Sequence, residues 1–105
     1  MGSTIRMTYA AALVLQALDS GHRHGFDIID ATNVRSGTVY PLLRRLEEAG
    51  LITSKWEHVS IARSSNRPPR KYYELNKSAD ELVAMAKQRF PSLSAIPTTR
   101  RISAT

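Results

Sequence analysis

A small α+β domain, mainly α, is the fold class predicted by this sequence of 105 residues. Apolar residues recur at three- and four-residue spacing in several separate stretches, the period of helices that bury one side. Two β-prone stretches, 51–57 and 70–75, flank a segment rich in Ser, Asn and Pro late in the chain, as in a hairpin. The length supports one domain with a single modest core.

A first helix is expected over 8–18, burying Leu13, Val14, Ala17 and Leu18, and stopped by Asp19-Ser20-Gly21. The stretch His22-Arg23-His24-Gly25 reads as a turn. Phe26, Ile29 and Ala31 then mark a short second helix that reaches about Thr32, and Asn33-Val34-Arg35 makes a tight connection.

The third helix, 36–49, organises the rest. Val39, Leu42, Leu43, Leu46 and Ala49 fall on one side of it. At 100° per residue, Tyr40, Pro41, Arg44 and Glu48 point the other way, with Arg45 and Thr38 on the flank. Ser36 and Thr38 both suit the N-cap, and a Thr38 cap would place Pro41 in the first turn. Gly50 is expected to close the helix in a left-handed conformation. The outward side thus carries hydroxyls, a tyrosine and two arginines, the residue types that enter a DNA major groove.

The segment 58–69 between the two strands is basic and turn-rich, so a mobile hairpin tip is expected there. Three short helices followed by such a hairpin make a winged helix-turn-helix: a three-helix core, a two-stranded β-wing and a C-terminal helix. Arg63, Arg67, Arg70 and Lys71 supply the wing's charge. Of Tyr72 and Tyr73, which alternate across a strand, one is expected in the core. Trp56 is expected to pack.

A last helix is expected from Asn76 or Ser78 to Phe90, with Ser78 and Glu81 as a capping box and an apolar stripe of Ala79, Leu82, Val83, Ala86 and Phe90. Pro91 ends it. Beyond it lie few large apolar residues and the pair Arg100-Arg101, so a flexible basic arm is expected.

Charge narrows the partner. The net charge is +6, yet residues 1–35 balance three basic against three acidic groups. Residues 36–77 carry eight basic against four acidic groups, and the chain from Lys87 onward carries four basic groups and no acid. A polyanion is the expected partner, and double-stranded DNA fits better than a membrane, since no basic face is paired with bulky aromatic anchors. No apolar run is long enough to cross a bilayer, and the segment behind Arg6 is too brief for a cleavable signal, so a cytoplasmic protein is expected. With no cysteine, thiol ligands and thiol nucleophiles are excluded. His22 and His24 read as structural turn residues rather than metal ligands. No nucleophilic arrangement or phosphate-cradling glycine loop occurs, so neither enzyme nor cofactor is expected.

Three blocks together resemble the PadR family of bacterial transcriptional regulators, over roughly residues 10–90. They are His24-Gly25-Phe26-Asp27-Ile28-Ile29; Ser36-Gly37-Thr38-Val39-Tyr40-Pro41-Leu42-Leu43-Arg44-Arg45-Leu46-Glu47-Glu48-Ala49-Gly50-Leu51-Ile52; and Arg67-Pro68-Pro69-Arg70-Lys71-Tyr72-Tyr73-Glu74-Leu75. The resemblance implies a homodimeric repressor on an inverted-repeat operator, gripping it through helix 36–49 and wing 58–71. Ser36, Thr38, Tyr40 and Arg44 take the family's DNA-facing positions, with Arg45 beside them, and Arg70 and Lys71 the basic strand start that meets phosphate. It also implies a division into a DNA-binding domain (8–76), a dimerisation helix (77–90, through Leu82, Val83, Ala86 and Phe90) and a basic flexible tail (91–105). The segment between Phe26 and Ser36 is several residues shorter than the family usually has, and the last helix stops early, at Pro91. A small-molecule effector stays open, because the last helix offers only Phe90 as an aromatic platform. The alternative reading is a protein-interaction module, an adaptor or antirepressor without DNA affinity.

Overall fold

The computed structural model describes residues 5–95. The elements run α1 (Tyr9–Asp19), α2 (Gly25–Thr32), α3 (Ser36–Glu48), β1 (Ile52–Trp56), α4 (Val59–Ser64), β2 (Lys71–Leu75) and α5 (Asp80–Arg89), with 3₁₀ turns at Lys77–Ala79 and Pro91–Ala95. The expected mainly helical α+β architecture is present.

Helix α1 starts at Thr8, whose hydroxyl accepts a hydrogen bond from the Ala11 amide at 3.1 Å. It is apolar nearly all round, and Ala11, Ala12, Val14, Leu15, Ala17 and Leu18 are all buried, while Leu13 is only half-buried. Such a helix must be covered on both sides. Helices α2 and α3 cover one side, and α5 covers the other. In α2, Gly25 and Ile28 are buried, while Phe26 is 71% exposed. Asn33 closes α2 in the left-handed region (φ 61°), with its amide donating to Ile29 O at 2.7 Å.

Helix α3 buries Val39, Leu42, Leu43 and Leu46, as its spacing demands. Fully burying a leucine contributes about 1.5–3 kcal/mol, so these four anchor the helix firmly. Its start differs from expectation. Arg35 holds the N-cap position, with its carbonyl accepting from Thr38 and Val39 at 2.9 Å each, so Ser36 and Thr38 are first-turn residues rather than caps. Pro41 therefore lies in the second turn. The carbonyl that lacks its N–H belongs to Gly37, around which space is open. Gly50 ends the helix with φ 78°, as expected.

Strands β1 and β2 pair antiparallel in the register Ile52↔Leu75 to Trp56↔Lys71. Ile52, Ser54 and Trp56 therefore share one face with Leu75, Tyr73 and Lys71. Tyr73 is the buried tyrosine of its pair, at 7% exposure. On the other edge of β2, His24 bridges Tyr72, and the Tyr73 amide donates to Arg23 O at 2.7 Å. The first turn is thereby sewn to the wing.

The segment between the strands is not a mobile tip. It folds as α4, capped by His58, whose Nδ1 accepts from the Ser60 amide at 3.1 Å, and pinned by the buried Ala62.

Helix α5 has no capping box. The Ser78 hydroxyl donates instead to Gly50 O at 2.9 Å, beside the Asn76 side-chain amide at 2.8 Å on the same oxygen. Val83 and Ala86, expected in a dimerisation stripe, lie against α1 within the chain. Leu82 and Phe90 are half-buried, and Phe90 meets Tyr9 edge-on with centroids 5.2 Å apart. The chain past Pro91 is not wholly a loose arm either, because Leu93 is buried against Ala12 and Ala86. Arg100 and Arg101 lie outside the described residues.

Candidate nucleic-acid interface

The outward side of α3 presents Ser36, Thr38, Tyr40, Arg44 and Arg45, all exposed. Arg45 stands in the last turn, where a cation also favours the helix dipole. Tyr40 is 40% exposed and lies across Gly25 at the start of α2. A Cβ at position 25 would overlap the Tyr40 ring, so the glycine of the first block and the tyrosine of the second form one contact.

The wing stands beside this surface. Arg63 is exposed in the last turn of α4. Arg67 is placed differently from expectation. Its guanidinium takes Glu57 in a two-point ion pair, with Nη2 2.9 Å from Oε2, and the two side chains are only 24% and 5% exposed. The Arg70 amide (3.2 Å) and the Tyr72 hydroxyl (3.4 Å) donate to the same carboxylate. Arg67 is thus a brace inside the wing, and its charge is already met. Arg70 is half-buried and has no carboxylate within ion-pair distance among the described residues. Lys71 lies 4.0 Å from Glu47, in a half-exposed pair that contributes little to stability.

The Arg67 hydrogen bonds, aided by the Arg70 amide, push the Glu57 pKa down to about 2 from an ordinary 4.5, against the opposing effect of burial. Its ionised form therefore stabilises the fold at neutral pH, and that contribution is lost as pH falls from about 4.5 towards 2. Glu57→Gln should melt earlier than the parent at pH 7, and the gap should close across that window. Melts by circular dichroism at pH 7, 4 and 3 check this, and a constant gap would contradict it. Burial, then the Arg70 charge, lower the His24 pKa, so its ring is neutral at physiological pH. His22 is buried, with Nδ1 2.9 Å from Asp27 Oδ1.

Glu57 is the residue that sequence reasoning missed; its one signal was an acid at the edge of the basic segment 58–71. Trp56 is corrected too, being 64% exposed rather than packed.

Between Tyr40 and the wing lies a cleft of about 520 Å³, lined by His24, Gly25, Phe26, Tyr40, Trp56, Arg67, Pro68, Pro69, Arg70, Lys71 and Tyr73. It joins the exposed side of α3 to the basic start of β2.

A three-helix core, an open third helix and an adjoining basic wing define a winged helix-turn-helix protein. The chain belongs to the PadR-like family of transcriptional regulators, whose family model matches residues 14–82. Its fold is similar to that of a PadR family transcription regulator from hypervirulent Clostridium difficile R20291, at 24% identity and TM-score 0.66 over 83% of this chain and 92% of that one. A PadR-like transcription factor from Bacteroides fragilis aligns at 26% identity and TM-score 0.65, over 85% and 86% of the two chains. A Streptococcus transcriptional regulator aligns at 26% identity and TM-score 0.60, over 81% and 84%. No curated protein matches the sequence. Among the described residues, no helix is long and apolar enough to cross a membrane.

Proposed function

We propose that the chain is a sequence-specific repressor that grips duplex DNA with α3 in the major groove and the wing along the adjoining backbone. One observation carries the reading: the exposed Ser36, Thr38, Tyr40, Arg44 and Arg45 sit next to a wing that carries Arg63, Arg70 and Lys71. In this division of labour Arg44 reads a base edge, Arg70 and Lys71 hold phosphates, and Arg67 keeps the wing in shape. Two copies bind an inverted repeat. Because Val83 and Ala86 are used within the chain, the apolar surface left for the second copy comprises Tyr9, Leu82, Met85 and Phe90.

Selection of bound fragments from random duplex DNA tests this directly. Enriched half-sites of inverted symmetry are expected, spaced by about one helical turn or a multiple of it. On the selected site, Arg44→Ala should lose about 1–3 kcal/mol and relax preference at one base pair. Unchanged affinity in a gel-shift series would remove Arg44 from base reading. A second reading, a protein-interaction module, is favoured by the exposed Val59 and Ile61 on α4, each 53% exposed. It requires that no duplex shows salt-dependent binding.

A further inference from the structure

The cleft between α3 and the wing holds two large rings that the fold leaves in water. Phe26 is 71% exposed and Trp56 64%, with Tyr40 beside them. Aromatic surface gathered in a concave site marks a place meant to be covered. Cations edge the same site. Lys71 Nζ lies 5.7 Å from the centre of the Trp56 ring and 5.8 Å from that of Tyr73, and Arg70 has no acidic partner among the described residues. His24, held neutral, adds no charge to the wall.

Duplex geometry supplies the occupant. A strand that runs from a major groove filled by α3 to a backbone held by the wing must pass between the two, and the cleft is that gap. A deoxyribose within a strand has an apolar ring face and an anionic phosphodiester on either side, a pattern that complements rings flanked by cations. We propose that the cleft seats one deoxyribose of the operator strand, with its ring face on Trp56 and Phe26 and its flanking phosphates at Arg70 and Lys71. This rests on the DNA-binding reading above, and it gives the complex an apolar contact that salt does not screen.

Trp56 is the only tryptophan, so its emission reports on one position in the wall of the cleft. Titration with the selected duplex should change that emission, saturating at the same ratio as the gel shift. Trp56→Ala removes an exposed side chain and should melt like the parent while binding about five- to tenfold more weakly, at the low end of aromatic–nucleotide contacts. Its plot of log affinity against log salt should keep the parent slope, because no phosphate contact is lost. Arg70→Ala should instead lower that slope by about one. Trp56 emission that stays still at saturating duplex overturns the sugar seat and leaves the α3 reading intact, and so does Trp56→Ala binding at parental affinity. A single strand that competes as well as the duplex also overturns it, since an unpaired base would then be the occupant. A chain that shifts no duplex at all overturns both readings.

Discussion

Leu93→Ala should lower the stability of the domain by about 2–3 kcal/mol, within the range for deleting a buried leucine. Leu93 is 1% exposed and lies against Ala12 of α1 and Ala86 of α5, with its amide donating to Phe90 O at 3.0 Å. Against a total stability of roughly 5–15 kcal/mol, such a loss is large, and the melting temperature should drop by about 10 °C. Thermal unfolding followed at 222 nm measures it. Had the whole of 91–105 been a solvated tail, the substitution would leave the melt unchanged. The 3₁₀ turn Pro91–Ala95 is thus part of the core, a cover for the join between α1 and α5.

Gly25→Ala should cost about 1–3 kcal/mol, the usual range for forcing a group into occupied space. The added Cβ meets the end of the Tyr40 side chain, which is 40% exposed and able to swing outward. Relief by that route moves Tyr40 from its place on the exposed side of α3, so under the proposed function DNA affinity should fall alongside stability. Gly25→Ala combined with Tyr40→Ala should then be little worse than Tyr40→Ala alone, because the clash disappears with the ring. Additive losses in melting temperature and in gel-shift affinity would show that the contact is not what makes glycine necessary.

The elements that followed from the residues share a physical cause. The α3 stripe of Val39, Leu42, Leu43 and Leu46, and the left-handed Gly50, were legible because helical period and backbone freedom are local properties. So were the strands, whose ends fall within a residue or two of expectation. What stayed hidden depends on partners far along the chain. Six residues of α4 cannot sustain a helix alone; Ala62 and the His58 cap hold it in place on the wing. The Glu57–Arg67 pair joins residues ten apart that meet only after the hairpin forms. In α2, Phe26, Ile29 and Ala31 marked the helix, whereas its fully buried large side chain is Ile28. The destination of the α5 stripe was readable from the other side: a nearly all-apolar α1 needs cover that α2 and α3 alone do not give. Of the candidate site, the exposed residues of α3 were read correctly as exposed. The roles of Arg67, Phe26 and Trp56 required coordinates.

The carbonyl of Gly50, held at once by Asn76 and Ser78, makes the foot of one helix the doorstep of another. With the Asn76 amide also donating to Leu51 O at 2.9 Å, no slack chain separates the exit of α3 from the approach to α5. A sideways push on the last helix reaches α3 through a short hydrogen-bonded joint rather than a tether.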